Sequence, residues 1–89
     1  MATSGTLRLD IIEARLTRDT ETFGKMDPYA VIETRMQKFR TKTHQSAGKT
    51  PRWSEGFEID VKYIGDDMTL KVMDEDVGSD DVVSLYQDM

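Results

Sequence analysis

Alternation of apolar and polar residues is the feature that most limits what this 89-residue chain can fold into. In its clearest form, Phe57, Ile59 and Val61 alternate with charged residues. Side chains of a β-strand point to opposite faces in turn, so this pattern predicts a strand with one buried face. Comparable runs predict further strands at 7–12, 29–34, 37–43 and 68–73, separated by turn-forming segments. No window combines a helical stripe with caps, and the sequence therefore predicts an all-β antiparallel sandwich.

Charge is distributed unevenly along the chain. The net charge is -5, from 12 basic and 17 acidic residues. Six basic residues and no acidic residue lie between Arg35 and Arg52, whereas eight acids and one base follow from Asp66 onward. A basic stripe and an acidic pole predict that one face binds anionic surfaces. The acidic excess argues against nucleic acid as a partner.

Two acidic clusters stand where predicted strands meet loops. The first contains Glu21 and Asp27, and the second is Asp74-Glu75-Asp76, followed by Asp80 and Asp81. Loop carboxylates repel one another unless a cation holds them, and calcium takes about six to eight oxygen ligands. Pro28 favours an extended Asp27, and an extended segment projects Asp74 and Asp76 to one side. The alternative for these three aspartates is ordinary turn formation.

An EF-hand does not explain the second cluster. Counted from Asp74, the fifth position is Gly78 and the twelfth is Leu85, where that motif requires a bidentate glutamate. The sequence also lacks the flanking helices, so this calcium motif is rejected.

Four segments, in order, resemble the C2 domain, a calcium- and phospholipid-binding β-sandwich. They are 5–16, 24–31 with its Asp-Pro-Tyr, 42–57 with Thr-Pro-Arg-Trp-Ser-Glu-Gly-Phe, and 72–83 with its Asp-Glu-Asp. The resemblance implies a Greek-key sandwich over 5–86, a flexible segment at 1–4 and a tail at 87–89. A complete domain of this family has eight strands, and the sequence accounts for five and the start of a sixth. The resemblance therefore implies a sandwich without its last strands, with an open sheet edge.

The same resemblance assigns a set of calcium ligands. Asp27, Asp74 and Asp76 match the family's ligand positions, and Asp81 matches the last aspartate of the third loop. Glu21 stands where the family has an aspartate, and its extra methylene changes its reach. The alternative for Glu21 and Asp81 is a solvated loop charge. One calcium ion is expected rather than two or three.

A basic strand and two loop tips are the candidate lipid contacts. Lys38, Arg40 and Lys42 share one face of the strand predicted at 37–43. The resemblance implies that this face contacts anionic headgroups, and the alternative is a solvated outer face. Phe23 and Val77 match apolar loop tips that enter the bilayer, although a phenylalanine in a small domain more often belongs to the core.

The sequence thus predicts calcium-dependent binding to anionic phospholipid membranes. No nucleophile with its base and no catalytic metal site is recognisable, which predicts a binding module rather than an enzyme. The N-terminal residues do not resemble a signal peptide, and the expected location is the cytoplasm, with peripheral membrane attachment when calcium binds. Two alternatives remain open: a calcium-independent protein-interaction module and a nonfunctional fragment. The open edge also predicts a protein partner or self-association.

Overall fold

The computed structural model describes residues 5–21, 24–61, 68–76 and 78–88. These ranges contain six antiparallel β-strands and no helix, which confirms the predicted all-β class. Accordingly, none of the described residues forms a helix that could cross a bilayer. The strands are β1 Gly5–Glu13, β2 Pro28–Thr34, β3 Lys38–Arg40, β4 Arg52–Val61, β5 Met68–Asp74 and β6 Asp81–Asp88.

The strands form two sheets with one buried layer between them. One sheet has the order β1-β4, and the other has the order β3-β2-β5-β6. Four fully or nearly buried residues, contributed by β1, β2 and β4, make the main core cluster: Ile11, Ala30, Ile32 and Ile59. The rings of Phe39 and Phe57 lie against this cluster with their centroids 5.7 Å apart. Exposed residues alternate with buried or half-buried ones along β4 because that strand buries one face here, whereas five consecutive residues of β2, from Pro28 to Ile32, are buried.

A second core cluster supports one end of the sandwich. Met26, Val72 and Val83 are buried together, with Leu16 packed against them. Trp53 packs against both clusters, and its Nε1 donates a hydrogen bond to the carbonyl oxygen of Pro28 at 3.1 Å. The single tryptophan therefore joins the core to the start of β2.

Three connections lie at this end of the sandwich. We call residues 14–27 the first loop, 41–51 the second loop and 75–80 the third loop. The carboxyl end of β5 pairs with the start of β2 and the start of β6, which brings the first and third loops side by side. The backbone amide of Glu75 donates to the carbonyl of Asp27 at 3.0 Å. The loops are thus bonded to each other as well as to the sheets.

The second loop is joined to the first by its own backbone. Gly48 has a φ of +64°, which a side chain would strain, and its amide donates to the carbonyl of Met26 at 3.1 Å. His44 donates its backbone amide to the carbonyl of Pro28 at 2.9 Å. These bonds hold the second loop along the edge of β2.

The strand predicted at 37–43 is shorter than the alternation suggests. β3 ends at Arg40 because the side chain of Thr41 bonds to neighbouring backbone groups. Its hydroxyl accepts the amide of Ala30 at 2.9 Å and donates to the carbonyl of Lys42 at 2.9 Å. Side-chain bonds of this kind compete with ladder formation. The prediction that Lys42 lies within this strand is therefore wrong, although the backbone amide of Thr41 still donates to Ala30.

An apolar groove runs beside β1 between the two sheets. Its volume is about 340 Å³, and its lining includes Leu9, Ile11, Leu16, Trp53, Leu70 and Val72. Within the described part of the chain, β1 pairs only with β4, so its other edge has no strand partner there. The protein partner or self-association expected at an open sheet edge stays a prediction.

Candidate functional site

Asp74 lies at the centre of the acidic end of the molecule. It is the last residue of β5 and is fully buried, with a relative exposure of 0%. Its Oδ1 accepts the backbone amide of Asp27 at 2.9 Å, and its Oδ2 accepts the hydroxyl of Thr20 at 2.7 Å. A buried carboxylate is costly without such partners. Asp74 therefore fixes the first loop against the end of β5.

Asp27 links the first loop to the other two. Its Oδ1 accepts the backbone amide of Ser46 at 2.6 Å, and its carbonyl accepts the amide of Glu75. Ser46 has a φ of +57°, the left-handed conformation that a turn of the second loop requires here. Asp27 is thus held by contacts with both neighbouring loops.

Glu21 shows that the acidic side chains are electrostatic neighbours. A hydrogen bond between its carboxyl group and that of Asp74 raises the pKa of Glu21 to about 7. The negative charge of Asp74, partial desolvation and the charges of Asp76 and Asp27 act in the same direction. Four of the five predicted calcium ligands therefore interact around one site.

The far side of the third loop is held by Asp80. Its Oδ1 accepts the backbone amide of Asp76 at 3.0 Å, and its Oδ2 accepts the hydroxyl of Tyr29 at 2.5 Å. The hydrogen bond from Tyr29, and after it the one from the Asp76 amide, lower the pKa of Asp80. Burial, and after it the hydrogen bond to Asp80, raise the pKa of Tyr29 to about 12. Asp81, the fifth predicted ligand, is the exposed first residue of β6 and pairs with Asp74 across the ladder.

The donor chemistry of this site fits calcium, although the side chains are not drawn together into a cage. Among the described residues, no three acidic, histidine or cysteine side chains are placed so that they could hold a metal ion. A carboxylate has about four acceptor positions, and at Asp74 the amide of Asp27 and the hydroxyl of Thr20 take two of them, in addition to the hydrogen bond with Glu21. The oxygens of Asp27, Asp74 and Asp76 are the hard ligands that calcium prefers.

The predicted basic surface lies beside the third loop. Lys38 and Arg40 are exposed in β3, and Lys42 is exposed just beyond it. Arg40 is 3.7 Å from the ring centroid of Tyr29, and its Nη2 is 3.1 Å from Oε2 of Glu75. The predicted membrane tips, Phe23 and Val77, lie outside the described residues.

Comparison with known proteins decides the family. The sequence profile of the C2 domain matches residues 5–86, nearly the whole chain. The chain belongs to the C2 domain family. The resemblance drawn from the sequence motifs is therefore confirmed.

Relatives of this C2 domain come from plants and animals. The chain is 34% identical over 77 residues to elicitor-responsive protein 3 of Oryza sativa subsp. japonica, covering 86% of the chain and 54% of that protein. It is 33% identical over 88 residues to extended synaptotagmin-3 of Homo sapiens, covering 93% of the chain and 10% of the relative. The chain thus spans about half the length of the rice protein and a small part of the human one.

Solved structures support the fold of this C2 domain. The calcium-bound C2A and C2B domains of extended synaptotagmin 2 match with a TM-score of 0.84 and 29% identity, covering 93% of the chain and 33% of that structure. A C2 domain-containing protein from a putative elicitor-responsive gene matches with a TM-score of 0.74 and 31% identity, covering 94% of the chain and 62% of that structure. The antiparallel C2-type architecture inferred from the sequence is confirmed.

Sequence reasoning missed several residues that build the site of this C2 domain. Thr20 and Thr43 donate hydroxyl hydrogen bonds to Asp74 and Glu75, and neither stands out among the ten threonines in sequence. Glu75 was only the middle residue of an acidic triplet. Pairing of β2 with β3 and β5 brings these groups together, and single-residue patterns do not encode that proximity.

A shallow groove beside Lys42 extends the basic surface. Its volume is about 410 Å³, and His44, Arg52, Trp53 and Glu55 also line it. His44 is exposed, and its Nδ1 accepts the backbone amide of Arg52 at 3.0 Å. The structure thus brings Arg52, which is distant in sequence from Lys42, to the same surface.

Proposed function

We propose that this C2 domain binds calcium and, when it has done so, attaches to anionic phospholipid membranes. Asp27, Asp74 and Asp76 would provide the main ligand oxygens, with Glu21 and Asp81 contributing. The observation that carries the proposal is the hydrogen bond from the backbone amide of Asp27 to Oδ1 of the buried Asp74, which brings acidic residues of the first loop and the end of β5 together. The raised pKa of Glu21, caused first by its hydrogen bond with Asp74 and then by the charge of Asp74, supports the proposal, because a divalent cation at this position would relieve the repulsion between the carboxylates.

The electrostatics of the acidic end explain the dependence on calcium. Without a cation, its carboxylates repel an anionic membrane. Bound calcium would supply positive charge and leave coordination positions for headgroup phosphate. The calcium-bound state of extended synaptotagmin 2 supports this interpretation by similarity of fold.

The basic surface would add contacts once the loops face the membrane. Each Lys or Arg close to an anionic leaflet contributes about 1 kcal/mol. Lys38, Arg40 and Lys42 are all exposed and would increase attraction, while Phe23 and Val77 would enter the bilayer. The proposed location is the cytoplasm, with peripheral attachment to membranes when calcium rises.

Calcium titration of the isotopically labelled chain tests the ion site directly. We expect amide shifts at Asp27, Asp74 and Asp76 that saturate with calcium. The Asp76→Asn variant should lose this response. Asp60→Asn is the matched control, because Asp60 is exposed on β4 in the other sheet. A wild-type spectrum that calcium leaves unchanged would contradict the proposal.

A calcium-independent protein-interaction module is the second candidate. The unpartnered edge of β1 in the described structure and the adjoining apolar groove favour it. An extended peptide can add a strand to such an edge through backbone hydrogen bonds. This candidate is favoured if the chain binds neither calcium nor anionic vesicles yet captures a β-strand peptide.

A further inference from the structure

The third loop is tied to β3 through the side chain of Glu75. Oε2 of Glu75 is 3.1 Å from Nη2 of Arg40 and accepts the hydroxyl of Thr43 at 2.6 Å. Arg40 also donates from Nη2 to the Thr43 hydroxyl oxygen at 3.0 Å. Glu75, Arg40 and Thr43 thus form a closed triangle, which we call the Glu75 triad.

The Arg40 side chain of the triad packs against the ring of a buried tyrosine. The Arg40 guanidinium lies 3.7 Å from the ring centroid of Tyr29, a cation–π contact. Tyr29 has a relative exposure of 6%, so the ring is a fixed platform, and its hydroxyl donates to Asp80. The contacts of Arg40 therefore reach Glu75 directly and Asp80 through Tyr29, on opposite sides of the third loop.

These contacts bear on the residues proposed to bind calcium. Glu75 lies between Asp74 and Asp76 in the chain, and its backbone amide is bonded to the carbonyl of Asp27. The backbone amide of Asp76 is bonded to Asp80. Fixing the loop on both sides of Asp76 reduces the conformational freedom that cation binding would otherwise remove.

We infer that Arg40 is a positioning residue for the third loop, and that through the Glu75 triad it raises the affinity of the loop for a divalent cation. This inference rests on the proposed function for its cation. It gives Arg40 a role in addition to the lipid contact proposed for Arg40 and its strand neighbour Lys38. Calcium affinity should then depend on Arg40 even when no lipid is present.

Calorimetry in the absence of lipid measures that dependence. Arg40→Ala should weaken calcium binding about fivefold, the size expected when an ion pair of this type and its ring contact are lost. Glu75→Gln should weaken it similarly while retaining Arg40. The double variant should be little weaker than either single variant, because both remove the same interaction. Arg35→Ala is the matched control, because Arg35 is exposed in the connection between β2 and β3, and this variant should bind calcium as the wild type does.

Amide hydrogen exchange in calcium-free buffer tests the positioning independently of any cation. Arg40→Ala and Glu75→Gln should accelerate exchange at the amides of Glu75 and Asp76. Exchange at Val31 and Val72, which lie in the β2–β5 region, should stay slow and show that the fold is intact. If the wild type binds no calcium, the proposed function fails, and the exchange data still decide whether the triad orders the loop.

Two results would overturn the inference. One is unchanged exchange at Glu75 and Asp76 in both variants. The other is unchanged calcium affinity without lipid, accompanied by weaker binding to anionic vesicles in Arg40→Ala alone. That second pattern would make Arg40 a headgroup contact that does not position the loop. The Glu75→Gln variant keeps the test decisive if Arg40→Ala does not fold.

Discussion

The side-chain Oδ1 of Asp74 accepts the backbone amide of Asp27 at 2.9 Å, across 47 residues of sequence. One predicted ligand therefore holds another in place, and the first loop cannot shift without breaking a bond to a buried carboxylate. Thr20 adds a second bond to the same carboxylate. The site is partly organised before any cation arrives, but its oxygens are also engaged with protein donors.

The affinity for calcium should be modest and should depend on lipid. Glu21 replaces the aspartate that the family resemblance implies, and Asp74 already accepts two protein hydrogen bonds. We expect a dissociation constant of roughly 10⁻⁵ M or weaker without lipid. Anionic vesicles should tighten it, because headgroup oxygens complete the coordination and coupling between two ligands is reciprocal. Calorimetry with and without vesicles measures this, and tight binding that vesicles do not change would count against the mechanism.

The basic residues should determine the salt dependence of membrane binding. Replacing Lys38, Arg40 and Lys42 together with Ala should weaken binding to phosphoinositide-rich vesicles and flatten its dependence on salt. Sedimentation over a salt series provides the measurement. Arg8→Ala is a suitable control, because Arg8 is exposed on β1 in the other sheet. A loss in the control that is as large, per positive charge removed, as the loss in the triple variant would show that only net charge matters.

Much of the fold follows from the sequence because half-buried strands impose a period of two. β1, β2, β5 and the second half of β4 lie where alternation predicts them. The start of β4 does not, because it contains a bulge. Two β4 residues, Trp53 and Ser54, lie opposite the single β1 residue Ile12, and Ser54 has a φ of +53°. Such a bulge interrupts the alternation on which the prediction rests.

The candidate site could be predicted only in part. Motif spacing identified the acidic residues, and Glu21, Asp27, Asp74 and Asp76 do interact. The partners Thr20, Ser46 and Thr43 come from loops that meet only after the sheets have formed. Their roles depend on distances across the fold, which local composition does not specify.

Tyr29 should make stability sensitive to alkaline pH. The pKa of Tyr29 is raised from 10.0 to about 12 in the folded protein. The contribution of its protonated hydroxyl to the free energy of unfolding is therefore complete below pH 10 and is lost as the pH rises toward 12. Tyr29→Phe loses the hydrogen bond to Asp80 and should be about 1 kcal/mol less stable at neutral pH. The difference in the free energy of unfolding between wild type and variant should narrow between pH 10 and 12 in denaturant titrations. A difference that widens over this range would contradict the assignment.

The 89-residue chain should self-associate through the edge of β1. A two-fold antiparallel pairing centred on Leu9 would place Arg8 of one copy opposite Asp10 of the other. Light scattering should show dimers or larger species that Arg8→Asp and Asp10→Arg each weaken. Mixing the two variants should restore association, because opposite charges then face each other across the pair. A monodisperse wild-type monomer with cooperative unfolding would contradict this prediction.

Sedimentation of the chain with anionic vesicles, in calcium and in chelator, tests the central claim most directly. We predict that the wild type and Asp60→Asn sediment in calcium and that chelator releases most of each. Asp76→Asn should show only a weak, salt-sensitive attachment that calcium does not increase. Equal sedimentation of the wild type in calcium and chelator, or calcium-triggered sedimentation of Asp76→Asn, would contradict the account.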